Sequence, residues 1–322
     1  MSLKILFLVQ KEQRVILDRL YEGVAAHSDC DLRWLDKEDQ SNLRRYFALQ
    51  VDVSRYDRIV FFLRFKQEIR QVAFIRTIPN LVILEHDAYQ NYIPGKYKGM
   101  FSRHYRRLAS VRVLASSAVV TRRLKEEGVD AVFVPKGYDQ ALLGNRGSLR
   151  DIELAFVGST KSGAYSNRKT LLDELARYEP VLVTRTTSGE EYVATLNRIR
   201  YFVSADVGMG EYMIKNFEAM ACGCVLIAYN QGSEENMALG FTDMENLVLY
   251  RDVAELRSKL AILRADPECA ARIAISGQAL AEARFSFGHV GERIVNAMEA
   301  PLRTDERRSW FGRLRLRFGR SA

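Results

Sequence analysis

The segment Gly208-Met209-Gly210-Glu211-Tyr212-Met213-Ile214-Lys215-Asn216-Phe217-Glu218-Ala219-Met220-Ala221-Cys222-Gly223-Cys224-Val225-Leu226-Ile227-Ala228 holds the residue types that recognition of a phosphorylated sugar needs. Glycines at 208 and 210 precede a helix that begins near Met213, is apolar at Phe217 and Met220, and stops at Gly223. Val225 to Ala228 is then a continuous apolar run, as in a strand covered on both faces. A helix N-terminus beyond the carboxyl end of such a strand offers unpaired N–H groups and a positive dipole end, which suits a phosphate. Glu218, one turn further in, supplies a carboxylate for a ribose diol. The same residues also fit a solvated helix between turn glycines, and the helix alone does not separate these readings.

These residues need a framework, and the chain is long enough to build one. Its 322 residues suffice for two domains, and 48% of them are hydrophobic, which excludes global disorder. The four cysteines, Cys30, Cys222, Cys224 and Cys269, include no CxxC pair and read as free thiols in a reducing compartment. Leu3 to Val9 is too short for a signal-peptide core, and no apolar stretch reaches the length of a membrane helix. A cytoplasmic protein is expected. The net charge is +8, and residues 302–322 hold seven Arg against Asp305 and Glu306. As a helix, this tail places Trp310, Phe311, Leu314 and Phe318 on one face. That is the composition of an interfacial helix on an anionic membrane, the expected partner of 302–322. An inert basic tail and an arginine-rich nucleic-acid segment are the alternatives, and nucleic acid is not the expected partner.

Strand and helix patterns alternate along the chain. Strands are expected at Leu3–Val9, Asp31–Leu35, Arg58–Leu63, Leu81–Leu84, Val111–Ala115 and Ala131–Pro135, with a helix over Gln13–Ala26 and another through Leu124 to Gly128. Gln140 to Arg150 is polar and reads as a linker. The pattern restarts with strands at Ile152–Val157, Pro180–Val183, Tyr201–Ser204, Val225–Ala228 and Leu247–Tyr250. Helices are expected over Asn167–Tyr178, Ser188–Arg198, Val253–Leu263, Pro267–Ala283 and Val290–Ala300, the last able to pack back over the hinge. Strands separated by helices imply parallel pairing with helices on both faces. The expected fold class is α/β, with two Rossmann-like domains and a cleft between them. Residues 1–145 form the acceptor-side domain, 146–300 the donor-side domain, and 301–322 a basic amphipathic tail.

Phe217-Glu218-Ala219-Met220-Ala221-Cys222-Gly223 resembles the signature of group 1 glycosyltransferases, which have the two-domain GT-B fold, and in particular their CgeB-like branch. Asn246 to Asp252 and Leu154 to Ser159 resemble two further segments of that branch. The similarity is good over about residues 150–300 and weak before them. The resemblance implies that Glu218 holds the donor ribose. The preceding Glu of the family's E-x7-E pattern would fall at Gly210, so either Glu211 contacts the donor sugar through a shifted loop or the backbone amides of Gly208 to Met213 do. It also implies that Lys215, with Asn216 beside it, meets a phosphate oxygen. GT-B enzymes usually neutralise the leaving diphosphate without a metal. Here Lys161 and Arg168, near the close-approach glycines Gly158 and Gly163, are the expected cations. No metal and no cofactor are expected, the sugar nucleotide being the substrate.

Glu85-His86-Asp87 directly follows a buried strand at its carboxyl end and is expected to face the cleft. His86 resembles the histidine after the matching strand of group 1 transferases. Glu85 or Asp87 is the candidate general base if the reaction inverts. If it retains, the leaving phosphate can take the acceptor proton. A core imidazole for His86 and an N-cap for Asp87 are the bland alternatives. The aromatic and cationic run from Tyr89 to Arg107 is a candidate acceptor surface. Together these features lead to the expectation of a bacterial glycosyltransferase, peripheral on the inner membrane. It would move a sugar from a nucleoside-diphosphate donor to a saccharide or glycolipid acceptor of lipopolysaccharide or another cell-surface glycan. A noncatalytic sugar-nucleotide binding protein and a GT-B-like sugar-nucleotide epimerase are the alternatives.

Overall fold

The computed structural model describes residues 2–12, 17–160 and 166–303. Two parallel sheets form in succession. The first contains β1 (Lys4–Gln10), β2 (Asp29–Leu35), β3 (Arg58–Phe62), β4 (Leu81–Glu85), β5 (Arg112–Ala115) and β6 (Asp130–Phe133), in spatial order β2-β1-β3-β4-β5-β6. The second contains β7 (Ile152–Val157), β8 (Leu182–Thr184), β9 (Ile199–Ser204), β10 (Val225–Tyr229) and β11 (Val248–Tyr250), in order β11-β10-β9-β7-β8. All pairings are parallel. Strand order reverses between β1 and β3 in one sheet and between β7 and β9 in the other. Open sheets of this kind form ligand crevices beyond the carboxyl ends of the strands flanking such a reversal.

The strands read as nearly unbroken apolar runs because both faces of each sheet are covered. On one face of the first sheet, Leu6, Phe61, Ile83 and Val113 pack with Phe47, Ile75, Phe101 and Leu124. On the other, Phe7, Val60, Val82 and Leu114 meet Leu20, Tyr21 and Val24 of helix Asp18–Ala26. The second sheet is filled likewise, with Phe202, Leu226, Phe217 and Met220 on one face and Phe156, Val203, Ile227 and Leu256 on the other. Burying these side chains contributes about 1.5–3 kcal/mol each.

The final helix, Phe287–Glu299, returns to the first domain. Its Phe287, Val290, Ile294 and Met298 complete that domain's core. It crosses helix Asp18–Ala26 at a contact between Gly23 and Gly291, where an added Cβ on either would fall within 2.5 Å of the other helix's backbone. Arg58 donates to the carbonyl oxygens of Met298, Glu299 and Ala300, and Arg112 to those of Ala297, Ala300 and Pro301, so two arginines finish the helix end. The chain crosses between the domains twice, side by side. Tyr138 N–H donates to Phe285 O (2.9 Å) and Phe287 N–H to Tyr138 O (2.8 Å).

The expected strands all form, displaced by two residues at most. The first helix is described from Asp18; residues 13–16 of the expected span lie outside the described residues, as do 304–322 of the tail. The polar segment read as a linker lies along the second domain, Arg146 binding Glu190 and Arg150 the carbonyls of Ile199 and Cys222.

Candidate functional site

The reversal between β7 and β9 is where the signature segment comes to rest. β9 ends at Ser204, the chain loops through Asp206 to Met213, and helix Ile214–Ala221 begins. No side chain caps that helix, which leaves first-turn N–H groups open to an anion. Lys215 reaches back from its first turn. Its ammonium donates to Val157 O at the end of β7 (3.0 Å) and lies 4.8 Å from the centroid of the Phe156 ring. Gly158 makes this possible, since a Cβ there would stand 2.0 Å from Lys215 Nζ. Burial lowers Lys215 to about 8, and the Arg168 charge adds to the shift. A half-buried cation with one neutral oxygen partner would gain from an arriving anion.

Glu218 lies three residues beyond Lys215 on the same helix, half-buried. Its Oε2 accepts a hydrogen bond from the Tyr192 hydroxyl at 2.5 Å. Burial raises its carboxyl above the ordinary range, opposed by the Tyr192 hydrogen bond and by Lys215. The amide of Asn216 faces inward instead, donating to Asp206 Oδ2 (2.9 Å) and Met213 O.

Asp206 organises the base of this loop. It accepts from Ser204 Oγ, Asn216 Nδ2 and Met213 N–H, and it is paired with Arg168 at 2.6 Å, the two side chains 1% and 3% exposed. Arg168 also donates to Ser159 O and Ala205 O. The guanidinium expected to serve as a cation for the diphosphate is thus already ion-paired within the fold. The guanidinium is a buried strut that fixes the loop at the site, its charge balanced by Asp206. Lys161 and Gly163 lie outside the described residues.

On the first domain, Glu85, His86 and Asp87 do follow β4, but they diverge. Glu85 is buried, with Oε2 accepting from the Tyr105 hydroxyl (2.9 Å) and Oε1 from Asp87 N–H (2.6 Å). Burial, with Asp87 and Glu68 nearby, raises it to about 8. Glu85 therefore points into the domain and shapes the turn, against the expectation that it faces the cleft. His86 is half-buried, its ring 5.0 Å from that of Phe62 and its Nε2 buried without a partner among the described residues. Burial and then the Lys136 charge lower it to about 3, so the imidazole is neutral near pH 7. Asp87 alone of the three is exposed.

Between the two domains lies Glu211, 1% exposed, ion-paired to Lys136 (2.6 Å) and accepting from Ser116 Oγ. Ser116 follows β5 and Lys136 follows β6, so this carboxylate bridges from the second domain to the first. It is not free to hold a donor sugar in this arrangement, and Gly210 beside it presents only backbone. The Gly210 N–H donates to Gln231 Oε1 (2.9 Å) and its carbonyl accepts from Ser117 Oγ (3.1 Å).

Lys136, Ser116, Tyr192 and Asp206 were not singled out from sequence. Asp206 and Lys136 each stand two or three residues past an apolar strand, the position that drew attention to His86, and that signal could have found them. Tyr192 gives no signal beyond an amphipathic helix. Among the described residues, no group of three or more His, Cys, Asp or Glu is placed to hold a metal, and no helix is long and apolar enough to cross a membrane. An Asp-x-Asp pair, Asp29 and Asp31, does occur; it lies at the start of the edge strand β2, away from the strands' carboxyl ends, with Asp31 bound to Arg33.

Residues 141–296 match a family model described as glycosyl transferase-like. No curated protein matches the chain. Among solved structures, HepE from Anabaena in complex with UDP-glucose is similar at TM-score 0.67 and 16% identity, over 92% of this chain and 99% of that one. The sucrose-phosphate synthase of Thermosynechococcus elongatus is similar at TM-score 0.65 and 12% identity, over 91% and 98%. A glycosyltransferase from Rickettsia africae is similar at TM-score 0.62 and 12% identity, over 92% and 98%. The chain has the GT-B fold of these proteins, two Rossmann-like domains of parallel sheet, along nearly its whole length.

Proposed function

We propose that the protein is a glycosyltransferase of the group 1 type, related to the CgeB-like branch, that transfers a sugar from a nucleoside-diphosphate donor to a saccharide or glycolipid acceptor. The observation that carries the proposal is the placement of Lys215. A desolvated ammonium and an uncapped helix N-terminus meet beside Gly158 at the reversal between β7 and β9, with the Glu218 carboxylate one turn along. That arrangement fits a diphosphate followed by a ribose. The glycosyl transferase-like match over 141–296 and the fold shared with UDP-glucose-bound HepE support the same reading.

In this mechanism Lys215 and the first-turn N–H groups stabilise the charge that grows on the diphosphate as the anomeric carbon–oxygen bond breaks. Glu218, steadied by Tyr192, accepts from the ribose hydroxyls. Neutral His86 serves as a hydrogen-bonding group near the transferred sugar. The acceptor hydroxyl forms the new bond to the anomeric carbon. Its proton passes to Asp87 if configuration inverts, or to the departing phosphate if it is retained. Lys215 and the helix N-terminus carry the leaving-group charge without a metal.

The acceptor is proposed to be a lipopolysaccharide or other cell-surface glycan precursor at the cytoplasmic face of a bacterial inner membrane. From Ala88 to Lys125 the chain has nine Lys and Arg and no Asp or Glu. Lys96, Lys98, Arg103, Arg106 and Arg107 are exposed. This run, with the basic tail 302–322, is suited to an anionic bilayer. A second reading, a noncatalytic sugar-nucleotide binder, draws on Gly210 standing where the family has a Glu and on Glu211 being committed to Lys136. A transfer assay decides between them: UDP-, GDP-, ADP- and dTDP-sugars are offered with a bacterial glycolipid fraction. Glycosylated product supports the transferase. Tight donor binding without product or donor hydrolysis supports the binder.

A further inference from the structure

Helix Ala118–Glu126 of the first domain has its four leading N–H groups satisfied in an unusual division. Ser117, its own N-cap, accepts from Val120 N–H through its hydroxyl and from Thr121 N–H through its carbonyl. The other two are taken by the second domain: Glu235 Oε2 accepts from Ala118 N–H (2.8 Å) and Val119 N–H (3.2 Å), and also from Ser117 Oγ (2.9 Å). A carboxylate is the group a helix N-terminus stabilises best. Here it comes from Ser233–Leu239, a helix 115 residues later in the chain.

We propose that Glu235 is a positioning residue that latches the two domains across the cleft, fixing the mutual placement of the first-domain loops and the signature helix until it lets go. The contact stands in a row. Beside it Arg122 pairs with Glu234 at 3.0 Å, Ser117 reaches Gly210 O, and Lys136 pairs with Glu211. All four join the segment Ser116–Arg122 or Lys136 of one domain to residues 210–211 or 234–235 of the other. The hinge at Tyr138 and Phe285–Phe287 is made of backbone hydrogen bonds and survives a rotation of the domains; this row does not. Opening would expose the Ala118 and Val119 N–H groups and Glu235 to water, which satisfies them, so the latch is reversible.

Glu235 is also only half held. The residue is fully buried, yet its Oε1 has no partner among the described residues. Burial and the nearby Glu211 charge raise its carboxyl to about 7, so the closed form disfavours the charge that the helix N–H groups hold. Such a contact holds a cleft shut without sealing it. The inference rests on the proposed function only for the identity of what enters the cleft, and its test uses no nucleotide.

Spin labels at Leu49 and Ile275, exposed by 66% and 68% on the first and second domains, report the interdomain distance once Cys30 and Cys269 are changed to Ser. In the full-length protein the unsubstituted latch should give one dominant distance. Glu235→Ala should raise a second, differently spaced population by roughly fivefold or more, the effect of losing one N-cap. Glu235→Gln, which keeps one acceptor oxygen and the side-chain volume, should restore most of the original distribution. If Glu235→Ala does not fold, Glu235→Gln must still shift the distribution in the same direction by a smaller factor. Unchanged distributions in every folded variant would overturn the latch, whether or not the protein binds a sugar nucleotide.

Discussion

Changing Gly158 to Ala isolates the proposed phosphate contact. The added methyl would lie 2.0 Å from Lys215 Nζ, well inside any allowed separation, and the obstructed atom is the end of a flexible chain. The ammonium should move and the backbone should stay. Position 158 has φ of +155°, which disfavours alanine, so about 1–3 kcal/mol of stability should also be lost, measured separately by thermal unfolding. A hydrogen bond from an ammonium to phosphate contributes about 1.5–3 kcal/mol, equivalent to roughly 10- to 100-fold in affinity. Lys215→Met should weaken binding of UDP, as a first nucleoside-diphosphate probe, by that factor, and Gly158→Ala should do nearly the same. The informative variant is the double one. If the methyl acts by displacing the ammonium, calorimetric titration of the double variant should show no further loss. Losses that add would mean the two residues act separately and would refute the reasoning. The pH dependence is a second check. Lys215 is lowered to about 8 in the free protein, so the free state sheds its proton as pH rises through 8 while the phosphate-bound state keeps it. Affinity should be level below pH 8 and fall by up to about tenfold per pH unit above it. Lys215→Met should show no such fall.

Asp87→Asn should lower turnover by about 100- to 10,000-fold while nucleotide affinity holds, if Asp87 is the base; steady-state kinetics with unchanged turnover would remove it from that role. Arg168→Met strands the buried Asp206 carboxylate, and chemical denaturation should show a loss of about 3–5 kcal/mol. A loss within error of zero would contradict the strut assigned to Arg168. Removing residues 302–322 should move the protein from the floated to the soluble fraction with anionic vesicles, and undiminished flotation would remove the tail from the membrane contact. Tyr192→Phe should weaken nucleotide binding less than loss of Glu218 does, because it removes only the support of one carboxylate oxygen; an equal or larger effect would make Tyr192 itself a ligand.

The fold was legible because each buried strand is a run of apolar residues that no other element explains. Arg58 to Phe62 and Val225 to Tyr229 declare themselves, and parallel pairing follows from the helices between them. Short helices were not legible. Phe65–Glu68 and Met100–Tyr105 show too few turns for a period to emerge, and Ser233–Leu239, which carries Glu235, begins in a polar stretch that reads as loop. The place of Lys215 and Glu218 was legible, since the glycines before them and Gly223 after them mark a short helix following a buried strand, and both lie on helix Ile214–Ala221. Legibility failed where a side chain had a choice of direction. Glu85 and Asp87 lie two apart after the same strand, yet Glu85 turns inward because Tyr105, far along the chain, offers it a hydroxyl. The sequence offers Arg168 as a cation for phosphate and does not show its pairing with Asp206, which lies across the fold. Charge pairing over such separations is set by tertiary contacts that a one-dimensional pattern does not contain.

Calorimetric titration of the wild-type protein and Glu218→Ala with a panel of nucleoside-diphosphate sugars tests the account most directly. At least one donor should bind the wild-type protein, and Glu218→Ala should bind it more than tenfold weaker, as expected for loss of hydrogen bonds to a charged group. Equal affinity in the two proteins, or binding of no donor by either, would contradict the site built around helix Ile214–Ala221.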